Sequence, residues 1–208
     1  MLLELENIII DKGFHKIACI DEVGRGCLLG DVVACAIIMP NGLIIEGVKD
    51  SKKLSPKKRE YLYDIILDNS IAFGIGRVDH LTIDRINIKE STRLAMKMAV
   101  ENLVDKLGEP ILPDFLLIDA EKVYLNIPQD GVIKGDDKSH GIACASIIAK
   151  VFRDRLCLGW DEEYPNYGIK AHKGYGTKVH IEAIKEYGIT PIHRNTFLNR
   201  ILEVIANG

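Results

Sequence analysis

Lys16-Ile-Ala-Cys-Ile-Asp-Glu-Val-Gly-Arg-Gly26 reads as a short apolar strand that closes on two acids and then meets two glycines. Successive strand residues face opposite sides of a sheet, so Asp21 and Glu22 reach one site only if the strand ends or bends there. Gly24 and Gly26 supply the means, because glycine accepts positive φ and lets backbone N–H groups approach a ligand closely. The alternative is that the acids are only the polar punctuation of a turn. After Gly30 the β-branched run Val32 to Met39 is a second strand, stopped by Pro40-Asn-Gly42, and Ile44 to Val48 is a candidate third. Connections this short predict antiparallel neighbours. The spacing Gly24-x-Gly26-x-x-x-Gly30 imitates a dinucleotide fingerprint, but that motif opens a helix and here a strand follows.

Farther along, Ser55 is an N-cap with Pro56 at the first helical position, and Leu62, Ile65 and Ile66 give an inward face to about Asn69. Ile71 to Val78 returns as a strand. Helical spacing runs from Glu90 to Leu107, with Gly108 as its C-cap, and Phe115-Leu-Leu-Ile-Asp119 is a strand buried on both faces. A long helix starts at Ser139 and runs to about Gly159; Ile142 to Ala149 is apolar nearly all round apart from Ser146, so it packs deeply. A Gly/His/Lys loop (Gly168 to Gly176), a helix from Thr177 to Tyr187 and a terminal helix from Thr196 complete the chain. This order predicts one α/β domain of 208 residues with a mixed central sheet flanked by helices: a core over about 14–159 and a small C-terminal helical extension over about 160–208.

Lys plus Arg number 27 and Asp plus Glu 30, a net charge of −3, so any polyanionic partner must be held by local patches. Lys49, Lys52, Lys53, Lys57, Lys58 and Arg59 against Asp50 make a local +5, and Gly168 to His180 adds three lysines with no acid. For Lys57 and Lys58 singly, a solvated helix face explains as much. The five cysteines form no C-x-x-C pair and read as reduced core residues of a cytoplasmic protein. No stretch is long and apolar enough for a membrane span, and Met1 to Ile10, with Glu4 and Glu6 and no base before Lys12, does not resemble a signal peptide.

Acids at strand ends point to one edge of a sheet, where α/β folds bind ligands. Asp21, Glu22 and Asp119 hold such positions, and Asp136 and Asp137 stand just before the buried helix. Gathered carboxylates need a compensating cation, and oxygen-only ligands suit magnesium or manganese rather than zinc. The chemistry using such a cluster is phosphoryl transfer or hydrolysis by two metals about 3.5 to 4 Å apart.

Five segments taken in order resemble ribonuclease HII, the type 2 ribonuclease H: Ile20-Asp-Glu-Val-Gly-Arg-Gly26, Lys49-Asp-Ser-Lys-Lys-Leu-Ser55, Leu117-Ile-Asp119, Lys134-Gly-Asp136 with Ile142 to Asp154, and His172-Lys-Gly-Tyr-Gly-Thr177 followed by His180 and His193-Arg194. The resemblance implies a ribonuclease H-like fold and endonucleolytic hydrolysis of RNA in RNA/DNA hybrids, including incision at single ribonucleotides in duplex DNA. It implies that Asp21, Glu22, Asp119 and Asp136, rather than Asp137, hold Mn2+ or Mg2+, and that the Gly24-Arg25-Gly26 backbone and Tyr175 read the ribose 2′-OH. Lys52, Lys53 and Lys173 then contact substrate. The family usually has glycine after the third acid, and this chain has Ala120. The expected state is a monomer, with no obvious clamp-binding tail in Ile201 to Gly208. His15 and His80 are read as surface residues, and His172, His180 and His193 as serving phosphate contacts or structure.

Overall fold

The computed structural model describes residues 3–49 and 51–206. β1 (Ile17–Val23), β2 (Val32–Ile38) and β5 (Phe115–Asp119) are built from β-branched and small apolar residues suited to burial on both faces. With β3 (Ala72–Val78), β4 (Val104–Asp105) and β6 (Gln129–Val132) they form one sheet of order β4-β3-β2-β1-β5-β6. β1 runs antiparallel to β2 but parallel to β5, which is parallel to β6. The sheet is therefore mixed, as expected, and the C-terminal ends of β1 and β5 emerge side by side.

Helices cover both faces. α3 (His80–Glu101) packs Ile83, Ala95, Met96 and Ala99 on Ala18, Ile20, Ala34 and Ala36. On the other face α2 (Pro56–Asn69) and α5 (His140–Glu163) pack on Cys19, Cys35, Ile37 and Leu117. A third cluster joins Leu28, Leu29 and Cys157 to Tyr167, Ile169, Ile184 and Leu198, seating α6 (Ile169–His172), α7 (Lys178–Tyr187) and α8 (Asn195–Ala206) against the loop after β1. All five cysteines are buried and free. Among the described residues no helix is long and apolar enough to cross a membrane.

Three expected boundaries shift for physical reasons. Ile44 to Val48 is not a strand; the segment turns instead, with the Ile45 N–H donating to His140 Nε2 at 3.1 Å. The helix expected from Glu90 begins at His80, where Asp79 accepts from the Thr82 N–H, and kinks at Asn87 (φ 67), whose side chain accepts from the N–H groups of Lys89 and Glu90. Asn87 thus recaps the second half, which is the half the sequence pattern displays. That helix ends at Glu101 rather than Leu107, because Val104 and Asp105 pair with β3, and Gly108 belongs to the turn that follows.

α5 starts as expected at its Ser139 cap but runs on to Glu163. α1 (Glu4–Asp11) is an element the sequence reading did not offer; its buried Glu6 accepts from the Ser139 hydroxyl (2.6 Å) and the Gly141 N–H (3.1 Å), locking the chain start to the head of α5.

Close approach of α3 to β3 depends on two residues without side chains. A Cβ at Gly76 would stand 1.9 Å from the Ala95 carbonyl oxygen, and one at Gly74 2.2 Å from that of Ala99. Gly76→Ala is expected to lower unfolding free energy by about 3 kcal/mol, since helix backbone rather than a movable side chain must yield. Urea denaturation would show it, and an unchanged midpoint would disprove the contact.

Candidate active site

β1 does not end at Asp21. It stays paired with β2 through Asp21↔Cys35, Glu22↔Ala34 and Val23↔Val33, so the expected bend is absent and the two acids do face opposite sides. β1–β5 pairing stops at Ile20↔Ile118, and Asp119, the last residue of β5, is near enough for its charge to act on both acids. Asp21, 6% exposed, accepts from the Glu22 N–H at 2.8 Å, and the Ser146 hydroxyl of α5 is near enough to ease its charge. Glu22 meets Arg25 at 3.1 Å through one oxygen, and its other oxygen, Oε2, is buried with no hydrogen-bond partner. Asp119 accepts from the Gly135 N–H at 2.7 Å, and Gly135 opens α4 (Gly135–Lys138), which carries the buried Asp136. Asp137 points instead to solvent and pairs with Lys53 at 2.6 Å.

Burial pushes the Asp21 carboxyl well above the usual carboxylate range, and the charges of Glu22 and Asp119 push it further. Burial also raises Glu22; Arg25 opposes that rise, while Asp119 and Glu121 add to it. These groups are near enough to feel one another's charge. Among the described residues, no three His, Cys, Asp or Glu side chains are yet grouped to hold an ion. The donor set is nevertheless carboxylate oxygen alone, and a desolvated Glu22 oxygen lacks a partner, which together fit a hard divalent cation.

Ser146 and Glu121 were not predicted as site residues. Ser146 had a signal in the sequence as the one polar interruption of an apolar helix. Its hydroxyl lies 2.9 Å from that of Ser51, so the turn bearing the exposed Lys52 and Lys53 leans on the serine near Asp21. Glu121 is held by Arg93 at 3.0 Å. Ala120 takes φ 49, a left-handed conformation in which glycine would be unstrained.

The Gly24–Gly26 turn and the Tyr175 loop lie against each other. Cys27 bridges Tyr175 in antiparallel fashion, and the Leu28 N–H donates to the Gly174 carbonyl at 2.8 Å. Gly24 has φ 92, and a Cβ there would stand 2.3 Å from Arg153 Nε. Fully buried Arg153 donates to the carbonyls of Asp31 (2.9 Å), Leu29 (3.2 Å) and Lys173 (2.7 Å); buried Arg194 donates to those of Gly30 and Arg25, each at 2.9 Å. Two guanidinium groups therefore fix both loops, a role sequence reasoning missed. Gly26 is exposed, and Tyr175 remains 42% exposed beside it. No helix follows these glycines, which removes the dinucleotide reading.

The basic patch is smaller than counted. Arg59 is buried, donating to the Ser51 and Leu54 carbonyls and pairing with Asp154, and Asp50 lies outside the described residues. Lys49, Lys52, Lys53, Lys57 and Lys58 are exposed; Lys173 is half-buried. His15 is exposed, His80 half-buried, and His172, His180 and His193 form a buried cluster.

The family model for ribonuclease HII matches residues 18–200. The ribonuclease HII of Alkaliphilus oremlandii is 60% identical over 96% of this chain and 98% of its own length. Among solved structures, ribonuclease H2 from Pyrococcus horikoshii aligns with a TM-score of 0.74 and 26% identity, covering 93% of this chain and 100% of that one. The Archaeoglobus fulgidus RNase HII, solved as a complex with PCNA, aligns with a TM-score of 0.68 and 25% identity over 89% of this chain and 96% of that one. A match of this extent, on a sheet that brings carboxylates to one edge, places the chain in the ribonuclease HII family of hydrolases that cleave RNA in RNA/DNA hybrids.

Proposed function

We propose that Asp21, Glu22, Asp119 and Asp136 together hold divalent metal, two ions of Mg2+ or Mn2+ during turnover, and that the site hydrolyses phosphodiesters in RNA/DNA hybrids and at single ribonucleotides in duplex DNA. What supports this reading is that Asp21, Glu22 and Asp119 stand at the neighbouring C-terminal ends of β1 and β5, near enough for their charges to act on one another, with a buried Glu22 oxygen left unpartnered. Metal bound there supplies activation of the attacking water and stabilisation of the departing 3′ oxygen, giving 5′-phosphate and 3′-hydroxyl ends.

The chain's own residues do the rest. The Glu22 N–H orients Asp21, the Gly135 N–H orients Asp119, and Arg25 holds one Glu22 oxygen while the other stays buried and unpartnered. The ribose 2′-OH takes no part in the displacement and is free to be read. The Gly24-Arg25-Gly26 backbone, exposed at Gly26, and the exposed Tyr175 ring are its readers, with Tyr175 also packing on the neighbouring sugar. Lys52, Lys53 and Lys173 meet phosphates, so binding should weaken with salt.

This reading takes the chain as one domain, core about 14–159 and extension about 160–208, acting as a cytoplasmic monomer in ribonucleotide removal and RNA primer removal. Clamp recruitment has no support in residues 201–208, part of which lies outside the described residues.

A labelled duplex with one ribonucleotide, incubated with magnesium, manganese or a chelator, tests the reaction: cleavage is expected with either metal and none with chelator. Cutting of an all-DNA junction instead would indicate a nuclease indifferent to the 2′-OH. Asp21→Asn and Asp119→Asn are each expected to abolish cleavage while hybrid binding persists; undiminished turnover in either refutes the assignment. Because burial disfavours the charged Asp21, Asp21→Asn should also stabilise the metal-free protein by about 1 kcal/mol, visible as a higher Tm. Tyr175→Ala should cut activity on isolated ribonucleotides by about ten-fold or more, and an equal rate would make the tyrosine structural.

A further inference from the structure

We infer that His180 is a positioning residue for Tyr175, holding the tyrosine's carbonyl from behind through a directional chain of hydrogen bonds that begins at Thr190; this rests on the sugar-reading role proposed for Tyr175.

The direction follows from backbone groups whose roles are fixed. The Thr190 N–H can only donate, and it lies 2.9 Å from His193 Nδ1. His193 Nδ1 is therefore an acceptor, also receiving the Thr190 hydroxyl at 2.8 Å, and its proton sits on Nε2. That N–H points at His180 Nε2, 3.2 Å away. His180 must then carry its proton on Nδ1, which lies 2.9 Å from the Tyr175 carbonyl, a group that can only accept. The two ends of the chain demand the same tautomers independently.

His172 buttresses the arrangement from the side. Its ring stacks on that of His180 with centroids 4.2 Å apart; its Nδ1 accepts from the Gly174 N–H (3.1 Å), and its Nε2 donates to the Tyr167 carbonyl (2.7 Å). His180 and His193 are buried, and desolvation holds both down to about 4, so both are neutral near pH 7, as the chain of bonds requires. Lys173 in the segment so gripped takes left-handed backbone (φ 55), which a non-glycine residue keeps only where its surroundings hold it. Arg153 grips the Lys173 carbonyl from the opposite side. Between these anchors only the Tyr175 side chain is left to face outward.

Two substitutions separate positioning from packing. In His180→Asn the amide nitrogen stands where Nδ1 stood and can still reach the Tyr175 carbonyl, but contact with His193 is lost. In His180→Gln the amide reaches toward His193, and the donor to Tyr175 is lost. With cleavage at a single ribonucleotide as the readout, His180→Gln is expected to lower kcat/KM about ten-fold, and His180→Asn to recover most of that loss. In a Tyr175→Ala background His180→Gln should add no further loss. Equal rates for the two variants, or additive losses, would overturn the inference.

Imidazole 15N spectra of the unaltered protein give a second test independent of folding in any variant. Protons on His180 Nδ1 and His193 Nε2 at neutral pH are expected, and the reverse pattern overturns the chain of bonds. If Tyr175→Ala cleaves isolated ribonucleotides at the original rate, the sugar-reading role fails even where the spectra show the bonds in place, so the two failures are distinguishable.

Discussion

Parallel pairing of β1 with β5 is the constraint on which the rest depends. A parallel pair brings two C-terminal ends to one edge, so two strands far apart in sequence each deliver an acid to the same place. Antiparallel pairing would have sent Asp119 to the opposite end of the sheet. The cost is electrostatic: Asp21 and Glu22 are carboxylates removed from water and set beside like charge, and burial is the largest influence on each. The fold bears that cost through an apolar sheet buried on both faces and an α5 whose face toward β1 is interrupted by Ser146.

Around this edge the chain uses buried cations as structural pins rather than as surface charge. Arg153 and Arg194 each donate to two or more loop carbonyls, and Arg59 fixes the turn that bears Lys52 and Lys53. Guanidinium suits the task because its planar fork meets several carbonyls at once and stays charged when desolvated. The loops that flank the acids thus acquire the rigidity of the core without being part of it.

Much of this was legible in the sequence where one residue type has one physical use. Ser55, Ser139 and Thr177 announce helix starts, each accepting from an N–H three residues on, and the apolar run Phe115 to Ile118 announces a doubly buried strand. The acids stood out as candidates because charge at the end of an apolar strand is unusual, although turn punctuation accounted for the Asp21–Glu22 pair as well. What stayed hidden depended on partners distant in sequence. Asn87 recaps a helix that looks shorter than it is, and α1 earns its place through Glu6 meeting Ser139. Arg59 counts as surface charge until the fold supplies carbonyls for it. The sharpest error was local: the strand was expected to end or bend at Asp21, whereas β1 runs on paired with β2 to Val23 and it is the pairing with β5 that stops, at Ile20.

The sealed thiols carry one more consequence. All five are buried, and burial raises Cys19, Cys35, Cys144 and Cys157 away from the thiolate form that alkylating reagents and peroxides attack. The native molecule therefore hides its own oxidation chemistry. Since these sulfurs lie along β1, β2 and α5, their chemical modification becomes a clock for the opening of the central layer.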